Sequence, residues 1–197
     1  MWNLNMRVMS AVWNWLDNAT LGALVGAAGA FLLVVLTDWR RNRRIATTQL
    51  PALLRRLLVL ATTRHEGATG ARDSVSTDPR IRPMGNIGLP FPTGRIDRYV
   101  DLAGDHLTDQ EAFAIDNICF AMREADRLNA ASRDLCAEID RAQIDVTRGE
   151  GNKLGGVFGL TAIFKRQSAE EAVLLDHVKK SIKAYLDGRL NEHGGPI

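Results

Sequence analysis

Polar and apolar positions divide the chain into two unequal parts. Between Asp17 and Asp38 no side chain is ionisable, and Leu24, Val25, Ala28, Phe31, Leu32, Val34, Val35 and Leu36 point in every direction around a helix instead of to one side. That interval of about 20 residues, at roughly 1.5 Å each, matches a hydrocarbon slab of about 30 Å. A chain of 197 residues is too short to enclose such a rod completely in its own core. The pattern therefore predicts a membrane-spanning helix over residues 18–39, preceded by a short interfacial segment, residues 1–17.

The flanks give this helix an expected orientation. All four tryptophans lie in the first 39 residues, and Trp13, Trp15 and Trp39 bracket the apolar run where aromatic anchors prefer the membrane–water boundary. Arg40, Arg41, Arg43 and Arg44 follow the run, against only Arg7 before it. Cationic flanks stay inside, so the N-terminus is expected outside and the C-terminal part in the cytoplasm, most naturally at a bacterial inner membrane. The same arginines are candidate contacts for anionic head groups. A cleaved signal peptide would need charge before a shorter run and small residues after it, so an uncleaved anchor is expected. Gly22, Gly26 and Ala30 recur every fourth residue on one stripe, a candidate packing face for a second copy in lipid.

Beyond the arginines the pattern is helical, with no strand-like alternation. Residues 40–64 read as a basic juxtamembrane region and a first cytoplasmic helix with Leu53, Leu54, Leu57, Leu58 and Ala61 on one side. Pro51 is expected to start that helix or to kink one continuing out of the membrane, the kink being preferred. Residues 65–94 hold four of the six prolines and read as a long Pro/Gly-rich loop, with Ile87, Leu89 and Phe91 docking its second half. Residues 95–192 read as a helical bundle domain, and 193–197 as a tail. Inside that domain "TDQE" at Thr108–Glu111 has the form of a capping box. Ala114, Ile118, Ala121, Ala125, Leu128, Ser132, Leu135, Ile139, Ala142 and Val146 then alternate steps of four and three, the period of a helix-packing seam. Asn117 and Asn129 fall on the same helix, and the pattern leaves open whether they are buried or exposed. A second capped helix is expected from "SAEE" at Ser168 to about Leu190. The fold class is thus all-α: an N-terminal single-pass transmembrane helix followed by a cytoplasmic three- to four-helix antiparallel bundle.

Between the two long helices, Gly149–Arg166 resembles a glycine-rich phosphate cradle only superficially, because Lys153 follows no strand and precedes neither Ser nor Thr. Leu154–Phe164 carries no charge and is expected to be a loop folded on the core. Leu154, Val157, Phe158 and Phe164 are its candidate membrane or partner contacts.

Charge and chemistry add mainly exclusions. Residues 46–197 hold 20 of the 25 Lys and Arg and 21 of the 23 Asp and Glu, a balance without the basic stripe that nucleic acid requires. The four histidines stand alone, so no metal site, cofactor or catalytic constellation is expected. Cys119 and Cys136, about 25 Å apart on one helix, cannot bridge and read as core fillers. The expected function is a membrane-anchored helical scaffold, self-associating as a homo-oligomer or holding an unknown protein partner at the cytoplasmic face of the bilayer. The alternative is a membrane-perturbing effector or signalling module that uses residues 154–164.

Overall fold

A computed structural model describes residues 2–75, 83, 88–148, 154–191 and 195, with side chains from residue 22 onward except that of residue 154. All regular elements among these residues are helical. Helix α1 spans Trp2–Arg44, a π-turn Ile45–Gln49, α2 Leu50–Asp73, α3 Thr93–Ala103, a 3-10 turn Gly104–His106, α4 Asp109–Thr147 and α5 Leu154–Leu186. The chain divides into two compact units, Met1–Arg44 and Ile45–Ile197.

The first unit is α1 alone. Its large apolar residues Leu24, Val25 and Phe31 to Leu36 are between 45 and 68 % exposed. One helix beginning near the N-terminus is long and apolar enough to cross a membrane.

The second unit is built on three seams. Along α2, Leu50, Leu54, Leu57, Ala61, Arg64, Ala68 and Ala71 alternate steps of four and three, and all are buried. Along α5, Val157, Thr161, Phe164, Ser168, Glu171, Leu175, Val178, Ile182 and Tyr185 do the same, and all but the half-buried Thr161 are buried. Of the α4 seam as read, Leu135, Ala142 and Val146 are half-buried and the other seven residues are buried, and Ile115, Cys119, Met122 and Asn129 are buried beside it. The apolar face of α4 is therefore broad enough for two neighbours instead of one. Helix α5 packs against both α4 and α2. Arg64 of α2 meets Asp126 of α4 and Glu171 of α5, while Ala71, Ile139 and Phe164 cluster further along. Advancing along α2 and α4 thus means receding along α5. The bundle expected to be antiparallel throughout is mixed: α5 runs against both neighbours, and α2 and α4 run in the same sense.

Several boundaries differ from those expected. Helix α2 continues through residues 65–73, where a loop was expected, because Ala68 and Ala71 extend its seam past the glycines at 67 and 70. Its last turn closes with the Ser74 N–H donating to Gly70 O at 2.9 Å. Residues 154–164 are the first three turns of α5 and not a loop, and Ser168 lies inside that helix, 2 % exposed, instead of capping it. A cap contributes about 1 kcal/mol, whereas burying Val157 and Phe164 contributes several, so packing overrides the local start signal. Pro51 is the second residue of α2, one residue beyond the π-turn. Having no N–H and a ring that crowds the preceding turn, it cannot continue the regular hydrogen-bond ladder, and the wider turn absorbs the mismatch. Ile45 and Ala46 of that turn pack on Ala103. At the end of α3, Gly104 takes φ 36°, a backbone geometry that a side chain would strain. Of the residues expected to dock the Pro/Gly-rich segment, Phe91 is buried, Leu89 is exposed, and Ile87 lies outside the described residues.

The capping box forms as expected. The Thr108 N–H donates to Glu111 Oε2 at 2.8 Å and the Glu111 N–H donates to Thr108 Oγ1 at 3.2 Å.

A buried polar layer, two cavities and an exposed apolar helix

The strongest polar constellation is one that the sequence pattern hid. Arg64 is 2 % exposed and donates from Nη1 to Asp126 Oδ1 and, at 3.4 Å, to Leu89 O. From Nη2 it donates to Glu171 Oε1 at 2.9 Å and to Ala125 O at 3.2 Å. Asn129 Nδ2 donates to the two Glu171 carboxylate oxygens at 3.2 and 3.4 Å. The Phe91 N–H donates to Asp126 Oδ2 at 3.0 Å, and the Phe91 ring lies 4.5 Å from the Arg64 guanidinium carbon. A Cβ added to Gly88 would sit 2.7 Å from Arg64 Nε, so only glycine lets the chain pass there.

One guanidinium and two carboxylates therefore tie α2, α4 and α5 together and clasp residues 88–91 over them. Each of Arg64, Asn129 and Glu171 occupies a position whose neighbours seven residues away are apolar or small and buried: Leu57 and Ala71, Met122, and Phe164 and Val178. That heptad coincidence is the signal that could have found them. Read residue by residue, their charge and polarity argue for the surface. With their hydrogen bonds turned inward, these groups join three helices at one level.

A groove of about 570 Å³ lies between α4 and α5, with Phe120, Leu128, Val173 and Leu174 as its large apolar lining. Phe120 and Val173 are 65 and 70 % exposed. A second cavity of about 370 Å³ is lined by Thr47, Arg55, His106, Glu111 and Tyr185, where the π-turn meets the ends of α4 and α5. Burial, with Glu111 adding to it, pushes the Tyr185 hydroxyl up to about 12, so it stays a neutral donor there. Among the described residues no three His, Cys, Asp or Glu side chains gather as a metal site would require.

Burial, with Asp97 next in weight, pushes the Cys119 thiol up to about 12, and burial raises that of Cys136 as well. Both are poor nucleophiles. The folded state holds the Cys119 proton up to about pH 12, whereas the unfolded thiol loses it near its ordinary value of 9.0. Stability is therefore expected to fall as pH rises from about 9 towards 12, and Cys119 to resist alkylation at pH 8 until the chain is unfolded. Mass-spectrometric counting of alkylated thiols with and without denaturant checks this. Rapid native labelling at Cys119 would contradict it.

The other residues singled out from sequence are distributed as follows. In α1 a Cβ at Gly22 or Gly26 would meet nothing within 4 Å, and Ala30 is exposed, so the stripe is open. Arg40, Arg41, Arg43 and Arg44 are all exposed, and the Arg43 guanidinium carbon lies 5.3 Å from the Trp39 ring centre. The side chains of Trp13, Trp15 and Leu154 lie outside the described residues. Of the described contacts expected from residues 154–164, Val157 and Phe164 face the core and Phe158 is exposed. Those two cannot touch lipid or a partner while the bundle is intact. No family model matches the chain, and no similar curated protein or solved structure is found.

Proposed function

We propose that this chain is a single-pass, membrane-anchored helical protein that serves as a self-associating or partner-holding scaffold at the cytoplasmic face, with its N-terminus outside. The observation that carries this reading is the run of exposed apolar side chains from Leu24 to Leu36, uninterrupted by charge and closed by Arg40, Arg41, Arg43 and Arg44. In water that surface would far exceed what a soluble monomer leaves uncovered; in lipid it costs nothing and satisfies its backbone internally. The arginine collar favours the inward side, and the bundle supplies the display surface. The effector alternative is weaker, because inserting residues 154–164 into lipid would first require pulling Val157 and Phe164 out of the core.

The full chain is expected to sediment with membranes and to resist extraction by alkaline carbonate, whereas a variant lacking residues 18–39 stays in the supernatant. A fluorescent reporter that matures only in the cytoplasm is expected to be bright when fused after Ile197, and a phosphatase active only outside is expected to be silent there. Full-length chain in the supernatant without detergent would overturn the anchor. The opposite reporter result would overturn the orientation.

A further inference from the structure

The geometry of the α4–α5 groove points to its occupant: we propose that it is covered by the same groove of a second copy of this chain, about a two-fold axis running along the groove. This deepens the self-association proposed above, rests on it, and names the surface that performs it.

The argument begins with the lips. The α4 lip carries Glu124 and Arg127, and the α5 lip carries Arg166 and Glu170. The hydrogen bonds from Asn129 to Glu171 set the level of the two antiparallel helices. Arg127 lies two residues before Asn129 and Glu170 one before Glu171, so the two are separated by about 5 Å along the groove, within reach of a flexible side chain. They stand on opposite lips with opposite charge. A two-fold axis along the groove lays α4 of each copy over α5 of the other at the same level, antiparallel to it, each helix keeping its own direction in both copies. Arg127 then meets the partner's Glu170, and Glu170 meets the partner's Arg127. One surface thus supplies both halves of its own complement.

Within one chain, Arg127 pairs with Glu124 at 2.8 Å and Arg166 with Glu170 at 3.5 Å. Arg127 and Arg166 are 71 and 74 % exposed, and pairs so exposed hold little energy, so their exchange across the interface is nearly neutral and chiefly selects partner and register. The attraction comes from Phe120 and Val173, which the second copy removes from water at the centre of the contact.

Two differently tagged full-length chains, co-expressed and solubilised in mild detergent from the membrane fraction, test the proposal by charge exchange. Wild-type copies are expected to co-isolate. Arg127→Glu alone or Glu170→Arg alone sets like charges against each other twice per dimer and is expected to lower recovery about tenfold. Co-expressing one chain with Arg127→Glu and another with Glu170→Arg restores attraction at both contacts, and recovery is expected to return to the wild-type level. Chains that had failed to fold could not be rescued in this way, and matching helical circular dichroism verifies each variant. A wild-type chain that isolates alone, single variants that co-isolate as wild type does, or a mixed pair no better than either single variant would each overturn the proposal. Failure of the membrane reading shows separately, as chain missing from the membrane fraction before any tag is captured.

Discussion

Replacing Arg64 with leucine is expected to destabilise the helical unit by about 3–5 kcal/mol, a large fraction of what a domain of this size has. The reason is what remains. Glu171, with its side chain 1 % exposed, would lose its cation and keep the weaker hydrogen bonds from Asn129. Asp126 would lose the same partner but is 25 % exposed and can recover water. The strap at residues 88–91 would lose the Leu89 carbonyl contact and the ring face of Phe91. Adding Glu171→Leu to Arg64→Leu removes the stranded carboxylate, and the double variant is expected to be more stable than Arg64→Leu alone, the sign of coupling within one network. Urea unfolding of the full chain in detergent, followed by far-ultraviolet circular dichroism, reads both effects. A loss below about 1 kcal/mol for the single variant would mean that the layer does not hold the helices together.

The second large effect is expected at Phe164. Truncation to alanine should cost about 3–5 kcal/mol, because the ring fills a fully buried site among Ala71, Ile139 and the flanking Leu135 and Leu160, and the small Ala71 cannot collapse into the space. Phe158, one and a half turns earlier and 49 % exposed, is the internal control: Phe158→Ala is expected to cost under about 1 kcal/mol. The two predictions together separate a helix packed by one face from an apolar segment lying loosely on the bundle or in lipid. In the latter arrangement the two phenylalanines would respond alike. Equal small losses would therefore remove residues 154–164 from the core.

Much of the architecture was legible along the chain. The charge-free run after Asp17, the seam from Ala114 to Val146 and the Thr108–Glu111 cap are local patterns, each written in a single stretch of residues, and each is recovered as an element or a contact. Local patterns fail where a packing position is occupied by a polar residue. Residues 65–94 read as one loop from their prolines, although Ala68 and Ala71 carry the α2 seam onward past the buried Arg64. Ser168 and Glu171 looked like the start of a helix because their types suit a cap, and only burial shows them to be members of a seam that began at Val157. Asn129 was undecided for the same reason.

What the sequence settled by itself is thus the placement of apolar periodicity: one rod with no polar face and several helices with a buried stripe, since hydrophobic spacing is a property of a segment and needs no partner. What only the tertiary structure decided is which polar groups go inside and which apolar ones stay out. Arg64, Asn129 and Glu171 are buried because two other helices bring matching donors and acceptors to them. Phe120 and Val173 remain exposed because no other described residue covers the groove they share. A side chain's own chemistry sets the cost of burial, but only its neighbours across the fold can meet it.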